Sequence, residues 1–449
     1  MAKIIVVGGG YAGISAATAL AEMGHSVDLL ESRGSLGGRV YSIPPSENFP
    51  APLDNGPHLF MGCYRETQRL MDRLGVQNPF HWIDPLTLAW FSPNGRKLTL
   101  RCPALPAPLH LIAGLLTSNA FSFRDKISMI RALSIFSRRT WTLNPGVQTV
   151  AQFLDFSRQG PRSRERFWVP LCNAVMNVPP EIAPVRGLGD VLHRIFFGTR
   201  RDSSFAVAAK PLSEIAFPQV EAYLQHNDGR ILLQEGVQAF RIGPNSFELE
   251  TRSGKIFTGD ALIWAVPPGP LSSLWPPGVW KALEALPGLG KSPIVTVNVI
   301  LSHILFREHF VGLPGAQFEW VFNRNANWGW RNESQAEEQY LSFTASAAAG
   351  LSRHSEKQLV DLALSELRER CPSAGNLSIL HSKVTREMAA TFSWSLESDK
   401  LRLPCETPIS NVFLAGDWTA TGLPATIEGA CLSGHLASEK AAEFIRKKS

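Results

Sequence analysis

The sequence predicts an α/β protein in which a Rossmann-like domain on a parallel sheet carries an inserted, mixed α+β second domain. Three observations predict this. The first forty residues read strand, glycine turn, helix, strand. A buried strand followed by a long helix closes the chain, and the stretch between mixes helical patterns with hairpin-like strands. The 449 residues, 44% of them apolar, are ample for two interleaved domains with sizeable cores.

Ile4–Val7 is a continuous apolar run, as expected of a strand buried on both faces of a parallel sheet. Ala12 to Met23 has a helical apolar period, Gly24 stops it, and Val27–Leu30 forms the second strand. Proline-rich breaks follow at 44–52, 103–108, 179–180 and 267–277. Between them lie helical patterns at 64–75, 109–136 and 357–370, and strand-like runs at 231–235, 247–250, 255–266 and 294–301. Residues 411–415 form another buried strand, and a helix of about twenty residues runs from Ala425. The first domain is accordingly expected over 1–62, 213–268 and 405–449. The second is expected over 63–212, mostly helical, and 269–404, strand-rich.

Composition excludes several classes. A net charge of +5 from scattered basic residues, with Arg200 and Arg201 as a solvated pair, does not make a nucleic-acid groove. The six cysteines at 63, 102, 172, 371, 405 and 431 form no C-x-x-C pair, and no metal-ligand spacing occurs, so no metal site is expected. Their scatter fits a reducing compartment. The apolar start breaks at Gly8–Gly9–Gly10, too early for a signal peptide, and no later run is long enough to span a bilayer.

Gly8-x-Gly10-x-x-Gly13 stands between the first strand and first helix. Gly8 permits the tight turn, Gly10 lets a pyrophosphate approach the backbone, and Gly13 lets helix and strand pack closely. The helix N-terminus offers free N–H groups and a positive dipole end to phosphates. Glu31 closes the second strand eighteen positions after Gly13, placed to accept from ribose hydroxyls and to repel a 2′-phosphate. These residues call for FAD or NAD, not NADP. No second nucleotide fingerprint occurs, so the source or sink of the bound cofactor's electrons would be external or a transient visitor.

The continuation Glu31-Ser-Arg-Gly-Ser-Leu-Gly37-Gly38-Arg39-Val40 resembles the second motif of the large flavoprotein family that includes amine oxidases and phytoene desaturases. Leu414-Ala-Gly416-Asp417 and Ala425-Thr-Ile-Glu428-Gly-Ala430 resemble its carboxyl-terminal signature. The resemblance implies bound FAD in a fold of the amine oxidase type. It places Gly8, Gly10, Ala12, Gly13, Glu31, Ser32, Gly38, Arg39, Gly56, Pro57, His58, Val237, Gly416, Asp417, Thr426 and Ile427 at the cofactor. It puts Arg39 on the pyrophosphate, Asp417 at ribityl or pyrophosphate hydroxyls, and the final helix's N-terminus toward the flavin pyrimidine ring.

Asp54-Asn-Gly-Pro-His58, with its continuation to Thr67, and Gly416-Asp-Trp-Thr-Ala-Thr-Gly-Leu-Pro424-Ala-Thr-Ile-Glu428 resemble the squalene-associated branch of that family, the hydroxysqualene dehydroxylases of bacterial hopanoid synthesis. Pro106-x-Pro108-Leu-His-Leu111-x-Ala-Gly-Leu-Leu116 resembles that branch too. Met388 and Ala389 depart from it, standing where basic residues are expected. The resemblance implies reduction of hydroxysqualene, a long isoprenoid alcohol, to squalene. Loss of water to an allylic cation would be followed by hydride from flavin N5, which needs a proton donor in a dry, apolar tunnel. His58 and Glu428 are the candidate catalytic donors. Alternatively, His58 only hydrogen-bonds backbone or flavin, and Glu428 only satisfies backbone donors at a helix N-terminus.

Residues 109–116 read as a core helix or as an apolar lip resting on the membrane, with Leu111 and Leu115 in contact. The lip would make the protein peripheral, cytoplasmic at the inner face of the cytoplasmic membrane. Trp82, Trp90, Trp320, Trp328 and Trp330 line a tunnel or fill a core. A carotenoid-type desaturase or an amine oxidase on the same fold is the alternative activity. A non-enzymatic prenyl-binding protein is the alternative class, and it would not need Arg39 and Asp417.

Overall fold

The computed structural model describes residues 1–448 except 94, 139–143, 244–245, 332–336, 372 and 375–376. Strand β1 (Lys3–Val7), helix α1 (Tyr11–Glu22) and strand β2 (Ser26–Leu30) form the predicted opening unit. Their sheet has five parallel strands in the order Arg230–Leu232, β2, β1, Ala261–Trp264 and Val412–Leu414. Three separate stretches of chain therefore supply one sheet. Ile4, Val6, Val27, Leu29 and Ile263 face α1 and the final helix, Ile427–Lys448. Ile5, Val7, Leu262 and Trp264 face Phe240, Phe247 and Leu249 of a small antiparallel sheet. Both faces are thus covered, which is why these strands are apolar throughout. The two helices cross backbone to backbone: a Cβ on Gly434 would lie 2.1 Å from the Ala12 carbonyl oxygen.

Two elements differ from the sequence expectation. The helical pattern at 109–136 is two helices, Leu109–Thr117 and Phe123–Ser137. Ser118 turns extended, and Ser122 caps the second helix in a reciprocal box with Asp125, so hydrogen-bonding caps override a continuous apolar period. The run at 255–266 is two strands, Ile256–Phe257 and Ala261–Trp264, parted where a Cβ on Gly259 would stand 2.8 Å from the Lys3 carbonyl oxygen. Residues 63–212, expected to be mostly helical, also contribute Phe80–Ile83, Thr87–Phe91, Lys97–Arg101 and Phe205–Ala208 as strands.

A seven-stranded sheet runs Ile379–Thr391, Ser292–Leu301, Gln339–Ala345, Trp320–Asn323, Phe310–Gly312, Thr87–Phe91 and Lys97–Arg101. Val295, Val297, Val299, Leu341 and Phe343 on one face pack against Leu359, Ala363, Leu364 and Leu367 of helix Glu356–Arg370. That helix starts with a capping box of Ser355 and Gln358. The opposite face turns toward the parallel-sheet domain and bears on the site.

A partly buried clasp ties this sheet to helix Val169–Met176: Asn173 Nδ2 donates to Glu319 Oε1 at 2.8 Å. Burial pushes the Glu319 carboxyl up to about 7. With a folded value above the unfolded one, the contribution of Glu319 to stability is most favourable below the unfolded pKa and is lost as pH rises through about 7. Glu319→Gln mimics the protonated acid. It is expected to match the wild type at acidic pH and exceed it above neutrality by about 2–3 kcal/mol, read from urea midpoints.

Candidate active site

A cavity of ≈ 580 Å³ opens at the carboxyl ends of the parallel strands and runs on to the inner face of the seven-stranded sheet. Its first half is built from strand-end turns, the usual ligand position in such sheets. Gly8, at φ +113°, leaves β1 so tightly that a Cβ there would lie 2.4 Å from the Ala265 carbonyl oxygen. Gly10 faces free space, and a Cβ there would meet only the Gly38 Cα, at 3.9 Å. Gly13 does not line the cavity: its Cβ would sit 1.8 Å from the Gly8 carbonyl oxygen, so it sets how closely α1 packs on β1.

Glu31 is buried at the end of β2. Its Oε2 accepts from Gly9 N–H at 2.7 Å, and its Oε1 accepts from Arg33 N–H at 2.8 Å and Ser32 Oγ at 3.1 Å. The carboxylate is thus fixed before any ligand arrives. Arg39 donates from Nη2 to Asp417 Oδ1 at 2.6 Å and from Nη1 to the Ala390 carbonyl at 2.8 Å. Burial pulls the guanidinium down, but the Asp417 and Glu387 carboxylates outweigh it and hold its pKa above the usual value. Ala12, Ser32, Gly38, Gly56, Pro57, Val237, Gly416, Thr426 and Ile427 line the same cavity, as do Gly8, Gly10, Glu31, Arg39, His58 and Asp417.

This chamber fits FAD. A glycine cradle at the N-terminus of α1 leaves room for a pyrophosphate that a Cβ at Gly10 would fill. A pre-positioned carboxylate stands where a ribose belongs, and a fixed cation, Arg39, stands beside the Asp417 acceptor. FAD bound there would exchange a hydride at its flavin ring.

Arg402 was not anticipated from the sequence, where a lone arginine in a loop carries no signal. It lies over Phe392 and Trp394, 5.1 and 4.7 Å from their ring centroids, and donates to the carbonyls of Thr419 at 2.5 Å and Leu423 at 2.8 Å. It thereby holds the loop between Asp417 and the final helix. Asn55 is a second: its Nδ2 donates to the Arg39 carbonyl and to Glu387 Oε2, both at 3.0 Å, and it lines the cavity. Met388 is exposed beside Glu387 and does not line the cavity.

The two candidate proton donors sit in different settings. Glu428 lies outside this cavity. Its Oε1 accepts from Glu66 N–H at 3.0 Å, and its Oε2 accepts from Thr67 N–H at 2.9 Å and Thr67 Oγ1 at 2.8 Å. It caps helix Arg65–Arg73, so its lone pairs serve a helix terminus rather than substrate. Burial raises its pKa against those bonds. Glu428→Gln is expected to leave flavin binding and turnover intact while costing about 1–3 kcal/mol of stability, because an amide N–H then faces backbone donors. Thermal melts and single-turnover assays of one preparation check this.

His58 does line the cavity, and its Nδ1 lies 2.8 Å from the Gly56 carbonyl. A carbonyl only accepts, so that nitrogen carries the proton. Burial lowers the ring's pKa and keeps it neutral, leaving Nε2 an acceptor. As placed, His58 holds a hydrogen bond rather than giving up a proton.

The second half of the cavity is apolar, walled by Leu86, Leu88, Trp90, Leu100, Leu111, Phe167, Leu171, Val175, Ile195, Phe196, Phe205, Phe310, Trp320 and Phe322. Of the five tryptophans singled out, Trp90 and Trp320 line it. Trp328 and Trp330 pack on Tyr340, and Trp82 packs on Phe80 under Arg201.

The fold is shared with solved flavoproteins. The cyclohexylamine oxidase of Brevibacterium oxydans matches with TM-score 0.68 at 16% identity, covering 99% of each chain. An engineered putrescine oxidase matches with TM-score 0.75 at 15% identity, again over 99% of each chain. Among characterised sequences, the 15-cis-phytoene desaturase of Narcissus pseudonarcissus is 25% identical over 461 residues, 97% of this chain and 79% of that one. The 15-cis-phytoene desaturase of Synechococcus elongatus is 23% identical over 470 residues, 97% and 95% of the two chains. The family model for flavin containing amine oxidoreductases matches residues 11–442. With that match and the chamber above, the chain belongs to the flavin containing amine oxidoreductases and is an FAD-dependent oxidoreductase related to the carotenoid desaturases.

Proposed function

We propose that the protein reduces hydroxysqualene to squalene, using FAD reduced by an external donor. The observation that carries this reading is the wall of the cavity's second half, which is mainly apolar and continuous with the dinucleotide chamber. It suits a long isoprenoid chain and excludes water from a charge-separated transition state. The balance is alcohol plus reduced flavin giving hydrocarbon, water and oxidised flavin. The side chains named above bind the chain, keep it dry and position the cofactor. Mixing dithionite-reduced protein anaerobically with hydroxysqualene tests it: squalene should form as the flavin reoxidises, and an unreacted alcohol would sink the reading.

Desaturation of a carotenoid-type hydrocarbon is the second reading, favoured by the likeness to phytoene desaturases across 97% of the chain. It predicts that phytoene bleaches the oxidised flavin.

The proposed membrane contact moves to different residues. Leu111 and Leu115 are buried, whereas Leu109, Leu116 and Phe123 are 55%, 50% and 75% exposed. Among the described residues no helix is long and apolar enough to cross a membrane. Leu111 lines the cavity from the same helix that exposes Leu109 and Leu116, so a lip there would lead inward at the inner face of the cytoplasmic membrane. Leu116→Glu/Phe123→Glu is expected to reduce liposome co-sedimentation about ten-fold or more with folding retained. Leu111→Glu/Leu115→Glu would instead unfold the region.

A further inference from the structure

The inner face of the seven-stranded sheet carries a polar stripe within an otherwise apolar wall. Thr296 and Thr344 stand opposite each other on adjacent antiparallel strands, and Asn298 and Ser342 form the next pair on the same face. Arg324 reaches the same place, donating from Nε to Ser342 Oγ at 3.0 Å and from Nη1 to Asp54 Oδ2 at 3.2 Å. All five are at least nine-tenths buried. Yet Thr296 Oγ1, Thr344 Oγ1, Asn298 Nδ2 and Arg324 Nη2 have no hydrogen-bond partner in the protein.

Four unpartnered polar atoms from two strands and the short helix Arg324–Trp328, gathered on one patch, are not packing accidents. Valine would fill the threonine positions at equal volume without burying a hydroxyl. Their chemistry defines what is missing. Ser342 Oγ accepts from Arg324, so its proton goes to Asn298 Oδ1, 2.7 Å away, which fixes the Asn298 amide with Nδ2 toward the gap. Asn298 Nδ2 and Arg324 Nη2 only donate, and the threonine hydroxyls donate or accept. The absent partner therefore offers acceptor oxygens, and it needs no charge because Asp54 already answers Arg324. A hydrocarbon offers none. The patch lies behind the Gly56–His58 turn, where a Cβ on Gly56 would be 3.7 Å from Thr296 Oγ1, and Thr344 is the one of its residues that also lines the cavity.

We infer that this patch is an oxygen site: Thr344 takes the hydroxyl of an isoprenoid alcohol, and ordered water bridges Thr296, Asn298 and Arg324 behind it. The inference deepens the dehydroxylase reading and rests on it for the identity of the substrate. It names what would distinguish an alcohol from a hydrocarbon of the same length.

The test compares the flavin-loaded wild type with Thr296→Val/Thr344→Val, using farnesol and farnesene as matched probes followed by quenching of tryptophan fluorescence, to which Trp90 and Trp320 in the cavity wall contribute. The variant should bind farnesol about ten-fold more weakly and farnesene as well as before, or better. Thr344→Ser, which restores a hydroxyl, should keep most of the farnesol affinity. Equal weakening of both ligands, or no change in either, would overturn the oxygen site. Hydroxysqualene turnover by the wild type is scored separately. Its absence alongside a farnesol-selective loss sinks the dehydroxylase reading and leaves the site standing, and turnover without that selective loss does the reverse.

Discussion

Gly10→Ala is expected to abolish flavin binding while leaving the apoprotein's melting temperature unchanged. Gly10 has an ordinary extended backbone, φ −79° and ψ 177°, which alanine adopts without strain. Its new Cβ would touch only the Gly38 Cα, at 3.9 Å, so nothing in the protein resists it. What it occupies is the space over the N-terminus of α1 where a pyrophosphate must meet backbone N–H groups. A loss of at least about 100-fold in FAD affinity, about 2.7 kcal/mol, is expected from that obstruction. Gly13→Ala is the contrasting case. Its Cβ would stand 1.8 Å from the Gly8 carbonyl oxygen and 3.3 Å from the Ala265 Cβ, so α1 must lift off the sheet. That variant should lose both flavin and stability. Titrating FAD into each apoprotein by flavin fluorescence, beside thermal melts, separates the two effects. Normal FAD binding by Gly10→Ala would place the pyrophosphate elsewhere.

The contrast also shows which parts of the site were legible in the sequence. Gly8, Gly10, Gly13 and Glu31 are set by backbone geometry within one strand–turn–helix–strand unit, and local sequence encodes local geometry. The segments around Arg39 and Asp417 were legible through family likeness, and the structure brings the two side chains together across 378 positions of chain. Side-chain direction was not legible. Ile427 and Ala430 face the cavity, but Glu428, one residue on, is turned by about 100° and caps another helix. Residues 109–116 were open between core helix and lip for the same reason: Leu111 and Leu115 share one helical face, and that face points inward, as a core helix requires. The oxygen site was hidden differently. Ser292–Leu301 reads as one apolar strand, with Thr296 and Asn298 in alternation against Val295, Val297 and Val299. Only the second sheet face being buried against Asp54–His58 makes those polar residues interior, and their partners at 324, 342 and 344 belong to other segments.

Arg324→Leu is expected to carry the largest loss of stability among substitutions outside the flavin chamber. Arg324 and Asp54 are both almost wholly buried and form an ion pair at 3.2 Å between segments 270 positions apart. Arg324 also stacks on Trp328, its guanidinium carbon 4.1 Å from the ring centroid. Asp54 Oδ1 keeps Ser42 Oγ at 2.7 Å and Leu212 N–H at 3.0 Å, but leucine would leave its charge with no counterion in an apolar interior. Removing one member of a buried pair costs about 3–5 kcal/mol. Burial already raises the Asp54 pKa, with Arg324 the chief force opposing it. Without Arg324 the folded pKa rises further above the unfolded one, so the variant is favoured at low pH and loses stability as pH rises through that value. The defect should therefore be largest at neutral pH and shrink at acidic pH, as Asp54 takes up a proton below its raised pKa. Adding Asp54→Asn should recover part of the loss at neutral pH, because no charge then remains to be stranded. Urea unfolding of the single and double variants at both pH values measures this. A loss that ignores pH and survives Asp54→Asn would mean that the lost contacts of Arg324 with Trp328 and Ser342, not the stranded carboxylate, dominate.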